Sequence, residues 1–341
     1  MSIIMTGGGT GGHLAIIKAV KEYLKEEELI YIGSTKGQDK QWFKEDKDFS
    51  QTYFLETRGV VNQGLLGKFK SLFKIFSSAL EVRKILKKHK ATVVFSVGGF
   101  SAAPAAIAAK MSGIPLVIHE QNAALGSLNK LLKPYAEKFI SSYTEESTVK
   151  AYPVKQIFFD KARVRTKVNT IIFLGGSQGA KAINALALEI APELKAKGIK
   201  IIHQAGINNI EEVKKSYEKL GIEAEVFGFT TKLADYMNEA DFAIARSGAS
   251  TLWELGATAL PTLYIPYPYA ASDHQYHNAK FLVEKHLAWL MRENEIDRKK
   301  VLSLLEEENS SVSQGLMKIV EKDGSKKIAQ LLLEMKSNST K

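Results

Sequence analysis

Two glycine-rich stretches decide the fold of this chain: Ser2-Ile3-Ile4-Met5-Thr6-Gly7-Gly8-Gly9-Thr10-Gly11-Gly12-His13 and Thr170-Ile171-Ile172-Phe173-Leu174-Gly175-Gly176-Ser177-Gln178-Gly179-Ala180. Gly175 follows Gly7 by 168 residues, and the apolar runs before the two loops align at the same spacing. Each stretch predicts a buried strand, a tight turn and an amphipathic helix, whose free backbone N–H groups can face a phosphate. Two such units predict two similar α/β halves with a cleft between them.

The composition is that of an ordinary folded protein with room for two domains. The chain has 341 residues, of which 45% are hydrophobic and 25% are charged. It has no cysteine, which excludes a disulfide scaffold and a cysteine-ligated metal. The net charge of +10 favours contact with nucleic acid, anionic lipid or phosphorylated substrates, although a solvated lysine-rich surface is the simpler explanation. No nucleic-acid-binding motif is visible, no apolar run reaches the roughly 20 residues that span a bilayer, and we expect no signal peptide.

Short apolar runs alternate with helical patterns along the chain, which predicts parallel sheets of the doubly wound type. An irregular segment, Ala151–Val168, marks the expected domain boundary, and a terminal helix is predicted over Lys326–Met335. We therefore predict an N-terminal domain over residues 1–155, a second domain over residues 166–320 and a terminal helical segment over residues 321–341. The predicted strands are Ile3–Thr6, Leu29–Ile32, Phe54-Leu55, Val93–Val97, Leu116–Ile118, Lys138–Ser141, Ile171–Leu174, Lys200–His203, Glu225–Phe227, Phe242–Ala245 and Thr262–Ile265.

The first loop also fits the G-x-G-x-x-G pattern of dinucleotide-binding proteins through Gly7, Gly9 and Gly12. That function requires an acidic side chain at the end of the second strand to bind a ribose diol. Here the second strand ends in Gly33-Ser34, which argues against NAD, although Lys36 leaves NADP open as an alternative. The density of glycine exceeds what turn packing needs and favours close approach of the backbone to a ligand. His13, at the positive end of the next helix, is expected to be neutral; it is a candidate general base, with capping or packing as the alternative.

A further strand–turn–helix junction, Asp241–Glu254, provides the sharpest binding signal. Its small-residue turn, Arg246-Ser247-Gly248-Ala249, opens a helix whose first N–H groups predict a diphosphate site, with Ser247 or Ser250 as the cap. Glu254 lies about one turn into that helix, and a carboxylate can accept hydrogen bonds from two adjacent ribose hydroxyls. The alternative role for Glu254 is a favourable interaction with the helix dipole.

Other polar segments follow predicted strands. A proline-punctuated loop carries Gln275, which is suited to contact a sugar. Gly98-Gly99 is a second candidate phosphate turn, and His119-Glu120-Gln121-Asn122 places four polar residues at a strand end. Ordinary turn chemistry is the alternative for both. His274 and His277 have the spacing of metal ligands but lack an evident third ligand, so no metal is expected.

A basic helix rich in aromatic residues is predicted to begin near Leu65. Such a helix can lie on an anionic membrane, and a face packed in the core is the alternative. Its apolar residues at helical spacing are Leu65, Leu66, Phe69, Leu72, Phe73 and Phe76, and the lysines between them are Lys68, Lys70 and Lys74.

In their order along the chain, these motifs closely resemble those of the MurG family, bacterial glycosyltransferases that add N-acetylglucosamine to a lipid-linked muramyl-pentapeptide. The matching strings are Gly8-Gly9-Thr10-Gly11-Gly12-His13, Gly98-Gly99-Phe100, His119-Glu120-Gln121-Asn122, Gly175-Gly176-Ser177-Gln178-Gly179-Ala180, Arg246-Ser247-Gly248-Ala249 with Glu254, and His274-Gln275 with Asn278-Ala279. They span nearly the whole chain, and the ordered set is highly specific. The resemblance implies a GT-B fold, in which two Rossmann-like doubly wound α/β domains face each other across a cleft and a terminal helix crosses back to the first domain.

The resemblance also implies ligands and partners. The donor is UDP-N-acetylglucosamine (UDP-GlcNAc), held mostly by the second domain, and the acceptor is lipid I, the undecaprenyl-diphosphate-linked MurNAc-pentapeptide. By family position, Glu254 binds the ribose, Ser177 the diphosphate and the backbone of Thr230 the uracil. The implied donor contacts are Thr10, Gly11, Gly12, Asn122, Lys155, Ser177, Thr230, Arg246, Ala249, Ser250, Thr251, Glu254 and Gln275. The other implied contacts are Gly98 and Gly99 with the lipid diphosphate, and Phe69, Leu72, Phe73 and Phe76 with an anionic membrane surface.

The family works in peptidoglycan synthesis, and hence in cell shape and division, so the resemblance implies a peripheral protein on the cytoplasmic face of the bacterial inner membrane without a nucleic-acid partner. Two departures from the family pattern stand out. Leu14-Ala15-Ile16-Ile17 lacks the proline that commonly follows the first histidine, and Lys155 stands where the family usually has arginine. A lysine cannot reproduce the bidentate fork of arginine.

We predict an inverting transfer that produces lipid II and needs neither a metal nor a cofactor. The acceptor hydroxyl attacks the anomeric carbon opposite the departing UDP, and His13 or Glu120 takes the proton. Helix N-termini after Gly175–Ala180 and Arg246–Ala249 stabilise the leaving diphosphate. Two alternatives remain open: a GT-B epimerase acting on the same nucleotide sugar, and a non-catalytic basic protein that binds membrane or nucleic acid.

Overall fold

The structure, a computed structural model, describes residues 1–57 and 65–339; for residues 65–72 it describes the helix but not the side chains. The chain divides into two compact units. The first is built from Met1–Val154 and from the chain starting at Asp323, and the second is Lys155–Lys322. The division therefore falls at the start of the segment in which the sequence predicts the domain boundary, and Lys155 belongs to the second unit.

The first unit alternates strands and helices. Its elements are β1 (Ser2–Thr6), α1 (Gly11–Lys21), β2 (Leu29–Ser34), α2 (Asp39–Phe43), β3 (Gln51–Leu55), α3 (Leu65–Lys88), β4 (Ala91–Ser96), α4 (Ala103–Ser112), β5 (Leu116–Glu120), α5 (Ser127–Leu132) and β6 (Lys138–Ser141).

The second unit repeats that alternation, and a last helix returns the chain to the first unit. The elements are α6 (Gln156–Asp160), β7 (Thr170–Leu174), α7 (Lys181–Ala196), β8 (Lys200–Gln204), α8 (Ile210–Lys219), β9 (Glu225–Phe227), α9 (Leu233–Glu239), β10 (Phe242–Ala245), α10 (Ala249–Ala257), β11 (Thr262–Tyr264), α11 (His274–Glu284), β12 (Trp289–Leu290), α12 (Arg298–Leu304), α13 (Ser310–Ile319) and α14 (Gly324–Asn338).

The two sheets have the same topology. Within the described residues each sheet has six strands, in the orders β3-β2-β1-β4-β5-β6 and β12-β11-β10-β7-β8-β9, and all the strand pairs are parallel. Counted from its own first strand, the second sheet therefore repeats the order of the first. In each sheet the chain reverses its direction of winding beside the first strand, and doubly wound folds bind ligands at the carboxyl ends of the strands at that point.

The strands are apolar on both faces because helices cover both sides of each sheet. All five residues of β1 and all five of β7 are buried. Val94 of β4 and the alanines of α4 pack in the core of the first unit, and isoleucine, leucine, phenylalanine and alanine side chains of β7 and α7 pack in the core of the second. These cores fix the strand ends, and hence the loops that carry the polar motifs.

The terminal helix α14 belongs to the first unit, where it packs against α1 and β4. Its buried face carries Ile328, Leu332 and Met335 at helical spacing. A Cβ atom at Gly324 would lie 2.4 Å from the carbonyl oxygen of Tyr152, so the helix start requires glycine for close packing.

The boundary segment contains a buried cation that the sequence analysis missed. Arg165 is 1% exposed, and its guanidinium donates to the carbonyl oxygens of Met237 (2.9 Å), Ala240 (3.2 Å) and Thr258. These carbonyls lie at the C-terminal ends of α9 and α10, where the helix dipole favours a positive charge. Burial, with a smaller contribution from the positive charge of Arg163, lowers the pKa of Arg165 to about 9. The short edge strand β12 was also missed, because two residues carry no readable periodicity.

Candidate active site

The predicted polar motifs lie at the carboxyl ends of the strands in both units. In the first unit, β1 leads into Gly7–Gly12 and β4 leads into Gly98-Gly99. In the second unit, β7 leads into Gly175–Ala180 and β10 leads into the turn at Arg246. Each pair of strands is adjacent and parallel, so each pair of loops meets at one edge of its sheet.

The amides at the start of the first glycine loop are occupied by the protein itself. Gly7, Gly8 and Gly9 have φ values of 122°, 158° and 87°. The Gly8 N–H donates to the carbonyl oxygen of Gly98 (3.3 Å), and the Gly9 N–H donates to Oδ2 of Asp39 (2.6 Å). A Cβ atom at Gly8 would lie 2.5 Å from Oδ1 of Asp39, so the loop closes tightly around this carboxylate.

Asp39 is fully buried at the start of α2. Its Oδ1 accepts from the Tyr31 hydroxyl (2.9 Å) and from the Ser34 N–H (3.1 Å), in addition to the Gly9 bond on Oδ2. Asp39 is not among the site residues predicted from the sequence. The signal was present, since Asp39 follows β2 by only a few residues, close to where the dinucleotide pattern calls for an acid.

His13 lies in the first turn of α1 and is held on both ring nitrogens. Nδ1 lies 2.9 Å from Oγ1 of Thr10, and Nε2 lies 2.8 Å from the side-chain nitrogen of Gln121. Thr10 is the residue before α1, and Gly11 and Gly12 begin the helix. The predicted residues Thr10–Gly12 and His13 therefore share one turn, and Gln121 joins them from the end of β5.

Glu120, the other candidate base, is engaged with amide donors. Oε1 accepts from the backbone N–H of Asn122 (3.0 Å), and Oε2 accepts from the N–H of Gly126 (2.9 Å) and the side chain of Asn129 (2.9 Å). Glu120 is 4% exposed. Its carboxylate holds the loop that carries Asn122 in place. To accept a proton, the carboxylate would have to give up one of these hydrogen bonds.

His119 is fully buried behind this turn, with its ring edge-on to Tyr152 at 5.6 Å between centroids. Neither ring nitrogen has a hydrogen-bond partner in the described part of the chain. Burial lowers the pKa of His119 to about 3, with a smaller contribution from His13, so the ring is neutral.

Gly98 and Gly99 pack directly against the first glycine loop. Their φ values are 81° and 77°, and a Cβ atom at Gly99 would lie 2.4 Å from the carbonyl oxygen of Gly8. A Cβ atom at Gly98 would lie 2.9 Å from the side-chain nitrogen of Asn129. The structure thus brings Gly98 and Gly99 to the same edge as His13, Glu120 and Asn122.

The second glycine loop leaves its leading amides open. Gly175 N–H donates to the carbonyl oxygen of Gln204 (3.2 Å) and Gly179 N–H to that of Gly176 (3.0 Å), which fixes the turn. The N–H groups of Gly176, Ser177 and Gln178 have no acceptor among residues 1–57 and 65–339. Together with the first turn of α7, they form an arrangement that suits an anion.

Arg246 supports the loop after β11. Its guanidinium donates to the carbonyl oxygens of Ile265 and Pro266, both at 3.0 Å, and forms an ion pair with Glu293. The cap of α10 differs from the sequence prediction, because Gly248 occupies that position and no side chain caps the helix. Ser247 is fully buried, and its hydroxyl has no partner among the described residues. The predicted residues Ala249, Ser250 and Thr251 form the first turn of α10.

Glu254 is half-buried on α10. Burial raises the pKa of Glu254 to about 8, and the positive charge of Lys155 opposes this rise. Lys155 precedes α6, which packs against α10 in the same unit. Near neutral pH the carboxyl group therefore carries a proton in a large part of the molecules, and a ligand that donates hydrogen bonds to it would favour the charged form.

Thr230 and Gln275 complete the set of predicted residues in the second unit. Thr230 follows β9, and its hydroxyl accepts from the Lys232 N–H (3.0 Å). Gln275 lies in the first turn of α11, and its side-chain oxygen accepts from the Tyr267 N–H (2.9 Å). Both lie beyond the carboxyl ends of strands of the same sheet as Gly175 and Arg246.

The predicted membrane helix is α3. Phe73 and Phe76 are 76% and 52% exposed, whereas Ala79 and Val82 of the same helix are buried. The side chains of Phe69 and Leu72 lie outside the described residues. None of the described helices combines the length and the hydropathy needed to cross a bilayer. In residues 1–57 and 65–339, no group of three or more histidine or acidic side chains is arranged to hold a metal ion.

Known proteins resemble this chain in sequence and in structure. The glycosyltransferase family 28 N-terminal domain matches residues 3–141, and the glycosyltransferase family 28 C-terminal domain matches residues 170–332. The UDP-N-acetylglucosamine--N-acetylmuramyl-(pentapeptide) pyrophosphoryl-undecaprenol N-acetylglucosamine transferase of Sulfurovum sp. (strain NBC37-1) is 74% identical over 332 residues, which is 97% of this chain and 98% of the relative.

A protein of the same name from Sulfurimonas denitrificans is 54% identical over 330 residues, which cover 96% of this chain and 97% of that protein. The crystal structure of MurG from Acinetobacter baumannii has a TM-score of 0.79 at 24% identity and covers 98% of this chain and 99% of that one. The fold class predicted from the sequence is confirmed.

Proposed function

This chain belongs to glycosyltransferase family 28 and, within it, to the MurG family, and from this membership we propose that it is an inverting hexosyltransferase. It moves N-acetylglucosamine from UDP-GlcNAc to lipid I and forms lipid II in peptidoglycan synthesis. The observation that carries the proposal is the 74% identity, over 97% of the chain, to a protein named for this activity.

The second unit holds the donor in this proposal. The open amides of Gly176, Ser177 and Gln178 and the N-terminus of α10 offer donors for a diphosphate. The same donors stabilise the charge that builds on the diphosphate as UDP leaves. Arg246 contributes by holding the loop that leads to Gln275, since its guanidinium is already bonded to Ile265 and Pro266.

Glu254 accepts hydrogen bonds from the two hydroxyls of the ribose. A carboxylate is an acceptor-only group, and two adjacent hydroxyls offer two donors to it. Lys155 stands close enough to influence this carboxyl electrostatically, although lysine lacks the two-pronged geometry of arginine. The remaining predicted donor contacts are assigned to uracil (Thr230), the nucleotide (Ala249, Ser250, Thr251) and the sugar (Gln275, Asn122, Thr10, Gly11, Gly12).

The first unit supplies the general base and the acceptor contacts. The acceptor hydroxyl oxygen forms a bond to the anomeric carbon while the bond to the diphosphate oxygen breaks, and UDP leaves with the electron pair. The hydroxyl proton passes to His13 rather than to Glu120. The two oxygens of Glu120 accept three amide hydrogen bonds of 3.0 Å or less, two of them from backbone N–H groups. Nε2 of His13 faces only one amide, on the side chain of Gln121, which can turn away. Gly98 and Gly99 face the diphosphate of the lipid.

The protein acts at the cytoplasmic face of the inner membrane as a peripheral protein. Phe73 and Phe76 are exposed on α3, and Lys74 lies between them. Exposed aromatic side chains beside lysines favour an anionic lipid surface. The net charge of +10 has the sign that this surface requires.

A single assay separates the proposed function from its alternatives. The full-length protein is mixed with labelled UDP-GlcNAc, with and without a lipid-linked muramyl-pentapeptide acceptor. Transfer of label to the lipid is the expected result. Isomerisation of the sugar without acceptor would indicate an epimerase, and the absence of any turnover would indicate a binding protein.

The membrane role has a separate test. Wild-type protein should float with liposomes that contain anionic lipid, and the double variant Phe73→Glu, Phe76→Glu should not. Flotation of the double variant at the wild-type level would remove α3 from this role. Leu220→Glu, which changes an exposed apolar residue of the second unit, is the matched control.

A further inference from the structure

We propose that Gln121 is a positioning residue that fixes the imidazole of His13 as the Nδ1–H tautomer and aims the lone pair of Nε2. The effect of Gln121 on turnover rests on the proposed function, in which His13 takes the proton of the acceptor hydroxyl. The tautomer itself does not depend on that function and is measured separately.

The two hydrogen bonds of His13 determine the tautomer. The side-chain nitrogen of Gln121 lies 2.8 Å from Nε2, and an amide nitrogen can only donate. Nε2 must therefore accept, which places the ring proton on Nδ1. From there it is donated to Oγ1 of Thr10 at 2.9 Å. Gln121 and Thr10 thus orient the ring between them, and Nε2 is the basic atom.

The burial of Gln121 gives its amide a second use. Gln121 is 6% exposed, and its side-chain oxygen is buried without a partner in the described part of the chain. A buried amide oxygen without a donor is unfavourable. When the acceptor hydroxyl binds, it takes the place of the Gln121 N–H at the lone pair of Nε2 and transfers its proton there. A half-turn of the released amide then presents its oxygen to the new N–H. The imidazolium then has an acceptor, and Gln121 itself neither gains nor loses a proton.

The charged and titratable residues on β5 beside Gln121 do not bond to the ring of His13 in its place. His119 is buried and uncharged, and the Glu120 carboxylate is bonded to Asn122, Gly126 and Asn129. Histidine bases are often oriented by a carboxylate, which favours the imidazolium before the reaction begins. The amide of Gln121 occupies that place without a charge, so it orients the ring without favouring the imidazolium.

The first experiment is a ¹⁵N NMR measurement on full-length protein labelled at histidine. The His13→Ala variant identifies the His13 signals among the seven histidines. Wild-type His13 should be the Nδ1–H tautomer, and Gln121→Met, which keeps the shape but not the donor, should give a mixture of tautomers. An Nε2–H tautomer in the wild type, or an unchanged tautomer in Gln121→Met, would overturn the proposal.

The second experiment measures steady-state transfer. Gln121→Met should lower kcat roughly tenfold to 100-fold while the KM for UDP-GlcNAc stays within about twofold, because positioning acts on the base. Gln121→Asn, which retains a shorter amide, should recover part of the loss. The matched control is Gln156→Met, which removes an exposed amide on α6 and should leave kcat unchanged. An unchanged kcat in Gln121→Met would contradict the catalytic role.

The two experiments separate the failure of this inference from the failure of the proposed function. If wild-type protein transfers no sugar, the function fails while the NMR measurement still reports the tautomer. In the same NMR spectra, an unchanged signal of the buried His119, which lies in the first unit with Gln121, shows that each variant is folded there.

Discussion

The two glycine loops occupy the same place in two sheets of the same topology, yet they differ in whether their leading backbone amides are free to bind an anion. At the 168-residue spacing, Gly8 corresponds to Gly176 and Gly9 to Ser177. The N–H groups of Gly8 and Gly9 bond to Gly98 and to Asp39, whereas those of Gly176 and Ser177 have no acceptor in the described residues. One loop has its own carboxylate in the place of a ligand, and the other is open. Identical topology therefore does not imply identical ligands.

The residues beneath the loops show how the difference arises. Tyr31 pairs with Met5 and His203 pairs with Phe173, so these two buried polar residues occupy equivalent positions in the sheets. The Tyr31 hydroxyl lies 2.9 Å from both the Gly7 carbonyl oxygen and Asp39, and so it ties the first loop shut. His203 instead bonds to Asn184 and Tyr217, both at 3.0 Å, on the two helices that follow β7 and β8.

Removal of the internal carboxylate should produce the largest effect. Asp39→Ala leaves the N–H groups of Gly9 and Ser34 without an acceptor, which costs about 1–3 kcal/mol for each buried donor. A shift of the loop by about 1 Å would misplace His13, so we expect turnover to fall roughly 100-fold. Steady-state transfer measures this, and calorimetry should show unchanged UDP affinity.

Formate is small enough for the space that Asp39→Ala vacates, so it should restore part of the turnover. Asp235→Ala, which removes an exposed carboxylate of the second unit, is the control. Wild-type turnover in Asp39→Ala would show that the carboxylate is not what fixes the loop.

The reciprocal change puts a carboxylate into the open loop. Ser177→Asp places a negative charge beside the amides that we assign to the diphosphate, and like charges repel. UDP affinity should fall at least tenfold, or about 1.4 kcal/mol, in a calorimetric titration. Ser177→Asn, similar in shape but neutral, should bind UDP nearly as the wild type does. Equal affinity of the Asp and Asn variants would mean that the diphosphate does not lie at this loop.

The carboxyl groups of the two units also differ, and pH distinguishes them. Asp39 is bonded to three donors, whereas burial raises the pKa of Glu254 to about 8. If the ribose requires the carboxylate, binding below pH 8 must release a proton. The Kd for UDP-GlcNAc should then fall as pH rises from 6 to 8, by on the order of tenfold per pH unit, and level off above 8.

The nucleotide sugar is used in this titration because a terminal phosphate such as that of UDP titrates in the same range. Glu254→Gln should bind more weakly and without this slope. A Kd for the wild type that does not change between pH 6 and pH 8 would count against the ribose assignment.

The smallest expected effects concern the supporting hydroxyls. Tyr31→Phe and Tyr217→Phe each remove one buried hydroxyl, and each should lower the free energy of unfolding by about 1 kcal/mol in urea titrations. Only Tyr31→Phe should also lower turnover, since only Tyr31 touches the loop that leads to His13. Equal turnover of the two variants would weaken the contrast between the units.

The sequence predicted much of this architecture because its signals are local. Apolar runs, glycine turns and helical spacing indicated the parallel sheets and placed Ser177 and Glu254 after strands of the second half, whereas Thr230 was named only through the family resemblance. It did not predict that Gly248 rather than a serine would begin α10, because the burial of Ser247 depends on residues distant in sequence. It could not show the three amides that bond to the carboxylate of Glu120, one of its two candidate bases.

The amino-acid sequence by itself determined the repeated strand–turn–helix unit and the edge of each sheet at which polar residues gather. Only the tertiary structure decided which loop is filled, through Asp39, and which nitrogen of His13 bears the proton, through Gln121, which lies 108 residues away in the chain. The physical reason is the separation along the chain over which each interaction acts. Backbone preferences and hydrophobic periodicity act between near neighbours, whereas hydrogen bonds between distant segments exist only after packing has brought their atoms within about 3 Å.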